Sequence, residues 1–173
     1  KESQWEVQFL WWNSETQSNW LDGMIRAALL LDQSAFIEKA RARIEHLLTT
    51  QDADGYLGIY APDLRFNFTG ENGELWAQAS LFRVLLGWYE ATDDECVLAA
   101  VRHAVDVIMR AYPIGQSHPF DIKDDFAGVG HGLMFTDILD RLYQLTGEAQ
   151  YLVYARWLYD EYSRQPLSQD DIQ

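Results

Sequence analysis

An all-α chain of stacked helical hairpins, forming about half of a toroid, is the fold class this sequence predicts. Two observations carry it. A long apolar helix pattern runs into a tight polar turn and out into a second helix pattern three times, through Leu31-Asp32-Gln33-Ser34, Thr92-Asp93-Asp94-Glu95 and Thr146-Gly147-Glu148-Ala149. These turns recur at roughly 55–60 residues, a period that belongs to repeated helical hairpins. The helices also alternate in character, one apolar on most sides and the next apolar on a single stripe, which is the mark of an inner and an outer layer.

The first inner pattern covers about Thr16 to Leu31, with Trp20, Met24, Ala27, Ala28 and Leu31 at helical spacing and a capping box of Ser14 with Gln17. Its outer partner runs from Ser34 to Gln51, with the stripe Ile37, Ala40, Ile44, Leu47 and Leu48. Glu74 to Ala91 is apolar around most of its cylinder and is predicted to be buried on most sides. Asp94 to Tyr112 returns to one stripe (Val97, Val101, Ala104, Ile108), with Arg102, Asp106 and Arg110 spaced for ion pairs on its solvent face. Gly132 to Leu145 and Ala149 to Tyr162 form the third inner and outer pair.

Inner-to-outer turns are short, whereas the outer-to-inner loops, Asp52 to Gly73 and Pro113 to Gly130, are long. Loops of that length in a compact domain are often functional. Tyr56 to Tyr60 has the composition of a short extended piece, and Asp124-Asp125 is a weak cation signal; no metal site is predicted in this chain. Residues 1–166 read as one partial toroid and 167–173 as a polar tail. Three hairpins leave an apolar inner side uncovered, so the sequence predicts an incomplete chain or one covered by a partner.

Composition excludes several classes. An apolar content of 48% with seven Trp and nine Tyr supplies a core. A net charge of −14 repels nucleic acid and anionic membrane. The single Cys96 excludes an internal disulfide and a cysteine-rich metal cluster within this chain.

Position in the repeat selects the candidate site. Glu15, Glu74 and His131 each precede their hairpin turn by a similar interval and are expected at the starts of inner helices, on the rim where the long loops gather. Two carboxyl groups beside one pocket are what cleavage of a glycosidic bond requires. Trp12, Asn13 and Tyr56 are expected around them, with Trp20, Trp76 and Phe66 as further aromatic platforms for sugar rings. A plainer reading also stands: an acid in a first helical turn complements the helix dipole and explains Glu15 and Glu74 without a site.

The residues also resemble a known family. The segment ELWAQASLFRVLLGWYEAT, Glu74 to Thr92, is similar without gaps to a helix of glycoside hydrolase family 127, the β-L-arabinofuranosidases. Gln51-Asp52 through Asp54-Gly55-Tyr56-Leu57, Glu15 with Trp20-Leu21, and Gly130-His131 followed by Leu142 to Leu152 resemble further segments of that family in the same order. The resemblance implies an (α/α)6 barrel with its site at the inner-helix starts. It implies that the catalytic acid and a zinc-bound nucleophilic cysteine lie in the second half of the barrel, outside this segment, so no cofactor is expected on this chain. The family histidines before and within the "ELY" helix are Gly73 and Ser80 here, whereas the "GHPE" histidine corresponds to His131. A relative with a different sugar specificity is therefore expected.

The expected function is a glycoside hydrolase domain acting on an oligo- or polysaccharide, its inner face covered by the remaining half of the barrel or a homo-oligomer partner. Glu15 and Glu74 are the catalytic candidates. Two alternatives remain. One is an unsaturated-uronide hydrolase, polysaccharide lyase or sugar epimerase on the same fold, for which Arg65 is the only evident loop cation. The other is a non-catalytic carbohydrate-binding or scaffold unit.

Overall fold

Each of the three hairpin turns contains a residue in the left-handed region: Asp32 at φ 48°, Asp93 at φ 55° and Gly147 at φ 73°. The last two donate their N–H groups to Tyr89 and Tyr143 carbonyls at 2.8 and 2.7 Å, which closes the preceding helix. The recurring turn is thus a helix C-cap that reverses the chain within two residues. Asp and Gly suit it, because few other residues enter that region cheaply.

The computed structural model describes residues 4–66, 73–121 and 131–165. Among these it contains six long helices and no strand: α1 (Gln4–Leu31), α2 (Ser34–Leu48), α3 (Glu74–Thr92), α4 (Glu95–Ala111), α5 (Phe135–Thr146) and α6 (Ala149–Tyr162). Asn67-Phe68, Asp124-Asp125, Gly130 and the tail 167–173 lie outside the described residues. Tyr56 to Tyr60, expected as an extended piece, forms no strand: Tyr56 and Leu57 are irregular and Gly58 to Tyr60 bend.

The inner row is α1, α3 and α5, with α3 packed against both neighbours, and each inner helix packs on its own outer partner. This is the all-helical hairpin arrangement the repeat predicts. α3 is buried along most of its length, and Phe82, Leu85, Leu86 and Trp88 are wholly enclosed. Phe82 meets Phe135 of α5 edge-on at 6.2 Å, joining the second and third inner helices. The α4 stripe Val97, Val101, Ala104 and Ile108 is buried as expected.

Polar contacts tie the inner row across its surface. Arg83 of α3 donates to Asn19 of α1 at 2.6 Å. Arg141 of α5 donates to the Arg83 carbonyl at 3.3 Å and pairs with Glu90 at 2.7 Å.

Three expectations are corrected. α1 begins at Gln4, not near Thr16, so Ser14 and Gln17 lie within the helix and form no capping box. The twelve residues before Thr16 hold neither Gly nor Pro to stop it. The buried row of α1 is Ser18, Leu21, Ile25 and Ala28, while Trp20 is 61% exposed and Ala27 and Leu31 are also exposed. α1 carries apolar residues on two adjacent faces, and only the position of α3 decides which is covered. Arg102 and Arg110 do not pair with Asp106: Arg102 reaches Glu148 at the next hairpin turn, and Arg110 donates to the Asp54 carbonyl at 3.4 Å.

Gly147 has open space where a Cβ would stand. Gly147→Ala should therefore cost only the backbone penalty of a left-handed alanine, about 1 kcal/mol, read as a lower urea midpoint at unchanged m-value.

Candidate functional site

The first long loop folds back on itself before it reaches α3. Gly55, at φ 99°, lets the Asp52 N–H reach the Tyr56 carbonyl at 2.9 Å, and a Cβ there would stand 2.5 Å from the His103 ring. Gln51 anchors the turn by donating to the Gly55 and Ala100 carbonyls, both at 2.9 Å. The next residue, Tyr56, points inward and is buried.

There Tyr56 meets Glu74. The phenol donates to Glu74 Oε1 at 2.5 Å, and Gln78, one helical turn along α3, donates to the same oxygen at 2.9 Å. The Tyr56 oxygen in turn accepts from the Tyr60 N–H at 3.2 Å, and the Tyr60 phenol accepts from the Gly73 N–H at 3.1 Å. Two tyrosines of the loop thus hold the first residue of α3 and the residue before it.

Arg65 closes the cluster from outside. Its guanidinium lies 3.6 Å from the Tyr56 ring centroid, its Nε donates to the Tyr60 carbonyl at 2.9 Å, and it pairs with Asp52 and, at 3.7 Å, Asp54. Phe66 stacks edge-on against Tyr56 at 5.9 Å and against Tyr112 at 5.4 Å. Arg65 is thereby committed within the chain and is not an open receptor for a uronate.

Glu74 is 0% exposed. Burial raises its carboxyl to about 7, against the opposing effect of hydrogen bonds from Tyr56, Gln78 and the backbone and of the nearby Arg65 charge. Tyr56 is also pushed upward, first by burial and then by the Glu74 charge. The site therefore holds a carboxyl able to exchange a proton near neutrality, sealed from solvent by a phenol.

The other predicted residues are placed differently. Glu15 is half-buried within α1, well past the helix start that the repeat suggested, and its carboxylate makes no hydrogen bond or ion pair with any described residue. His131 is half-buried, four residues before α5, with its ring 5.0 Å from that of Trp76 on α3. Trp12 is 39% exposed. Asn13 lines a groove of about 620 Å³ bounded by α1, α2, residues 57–59 and α3. The structure thus joins Tyr56 to Glu74 and His131 to the α3 tryptophan, and gives Glu15 no hydrogen bond or ion pair with either pair.

Sequence reasoning passed over Gln78, Tyr60 and Gly58. Gln78 was findable, since a residue four along a helix from a buried acid is its natural partner. Gly58 was not: only the fold shows that a Cβ there would stand 2.5 Å from the Tyr56 hydroxyl.

Two outcomes are expected. Because the folded Glu74 value lies above its unfolded value of 4.5, its stabilising contribution is full below pH 4.5 and is lost as pH rises through about 7. Urea unfolding of wild type should lose about 3 kcal/mol relative to Glu74→Gln between pH 4.5 and 8. Gly58→Ala should displace Tyr56 and cost about 1–3 kcal/mol in the same assay.

Comparison with known proteins follows from this geometry. A comparison with curated proteins gave no match. Among solved structures the chain is similar to the crystal structure of Ara127N-Se, a GH127 β-L-arabinofuranosidase from Geobacillus stearothermophilus T6, with a TM-score of 0.65 and 22% identity over 91% of this chain. The match covers 25% of that protein, so the present chain spans about a quarter of its length. That likeness shows the fold. The family model for the β-L-arabinofuranosidase GH127 catalytic domain matches residues 2–172. The chain belongs to the GH127 β-L-arabinofuranosidase catalytic-domain family.

Proposed function

We propose that this chain supplies the substrate-facing rim of a glycoside hydrolase that removes a furanosidic or related sugar from an oligo- or polysaccharide. The observation that carries the reading is the Tyr56–Glu74–Gln78 cluster, which pins the long loop to the start of an inner helix at the position where the family resemblance puts the site. Glu74 is too enclosed to touch a sugar, so its part is positioning: it holds Tyr56, and through it the loop, in one geometry. Glu15 and His131 are partly exposed and suited to contact substrate, Glu15 as an acceptor for sugar hydroxyls and His131 through a ring that the buried Trp76 supports from behind.

Hydrolysis of a glycosidic bond needs a proton donor to the leaving oxygen and a nucleophile or base on the opposite side. The resemblance assigns the acid and the zinc-bound nucleophile to residues outside this segment. Among the described residues no three His, Cys, Asp or Glu side chains could hold a metal ion. Cys96 is exposed at the start of the outer helix α4. The described residues do not fit a zinc site. Leu30, Leu31 and Phe36 are exposed around the first hairpin turn, an apolar surface for the remainder of the toroid or a second copy to cover.

A second reading, a non-catalytic carbohydrate-binding unit, is favoured by one observation: Glu74 is wholly enclosed while Glu15 is partly exposed, so the two acids do not both open to solvent as a catalytic pair would. An aryl-glycoside and glycan panel on the full-length protein separates the two. Turnover with Glu15→Ala and His131→Ala lowering kcat/KM by about 10²-fold or more supports the hydrolase. Unchanged kinetics in both variants would return these residues to structural roles, and glycan binding without turnover would favour the second reading.

A further inference from the structure

The groove that Asn13 lines differs in charge from the chain as a whole. The chain carries 27 acidic residues and a net charge of −14. None of the side chains lining the groove is acidic, and Arg43 and His46 are its only ionisable members. They stand one turn apart near the end of α2, both exposed. Neither side chain makes an ion pair or hydrogen bond with a described residue, so the Arg43 guanidinium keeps its full bidentate capacity. Across from them α1 presents Trp20, the ring that the hairpin core leaves 61% exposed, with the polar side chains of Asn13 and Gln17.

We propose that this groove is a subsite for a sugar bearing a carboxylate. Charge complementarity selects the ligand class: a site empty of acids, with one unengaged guanidinium and an imidazole, in a strongly acidic protein favours an anion. The exposed indole selects a sugar among anions, since a pyranose or furanose ring offers an apolar face to stack on it. Its volume, about 620 Å³, lies within the range of small-ligand sites. The groove also adjoins the buried cluster. Gly58 lines it, and the space a Gly58 Cβ would take is filled by the Tyr56 hydroxyl that donates to Glu74. A ligand there would lie one residue's thickness from the pair that positions the loop.

The proposal rests on the reading of this protein as one that handles glycans, and binding is measured apart from turnover so that the two fail separately. The test is calorimetric titration of the full-length protein with an α-1,4-linked galacturonate trisaccharide and with its fully methyl-esterified form. The acid should bind about tenfold or more tightly than the ester, and Arg43→Gln should remove that preference while leaving ester binding unchanged. Trp20→Ala should weaken both ligands alike. Equal binding of acid and ester, an undiminished acid preference in Arg43→Gln, or no binding of either ligand would overturn it. Retained acid-selective binding in a protein that hydrolyses no glycoside would sink the hydrolase reading and leave this subsite standing.

Discussion

The hydrogen bond between Tyr56 and Glu74 is the constraint on which the rim of this structure depends. A fully buried carboxyl group at the first turn of a largely buried helix carries a large desolvation cost, and the protein offsets it with two donors on one oxygen and a shift toward the protonated form. The phenol that satisfies the acid belongs to a loop, so satisfying the acid also folds the loop. Tyr60 repeats the device one step along by accepting from the Gly73 N–H, ahead of the helix start. Ordering a long loop is entropically costly. Here the ordering is coupled to a buried polar group whose loss of partners would cost more than a surface contact could return.

Around that bond the loop's charged residues serve the loop itself. Arg65 spreads over the Tyr56 ring and answers Asp52, Asp54 and the Tyr60 carbonyl together, which a planar guanidinium with five donors can do. The acidic turn at Asp52 and Asp54 is the counter-charge for this arginine. Arg43, which makes no ion pair with a described residue and lines the groove, is on α2, a helix whose sequence reads as an ordinary amphipathic surface element.

Legibility followed the physics of each feature. The hairpins, their order and the all-round burial of α3 were readable because helical periodicity and left-handed turn residues are local properties. The start of α1 was not, since Ser14 with Gln17 three residues later reads as a cap pattern whether the chain before it is helical or loop. Tyr56 and Glu74 were both chosen from the sequence, but as neighbours of a pocket; that one seals the other is a fact of a contact eighteen residues apart. Glu15 was chosen by its place in the repeat, and the longer α1 moved it from a helix start to a helix interior.

By itself, then, the sequence determined the helical hairpins and their turns, the inner and outer identity of the helices and the family to which the chain belongs, because these depend on residue order and on interactions within a few turns. The tertiary structure decided which face of α1 is covered, which acid is buried, which arginine is consumed and where a groove opens. Those outcomes depend on how neighbouring hairpins and a folded loop meet, and burial and charge pairing are properties of that meeting and of no residue alone.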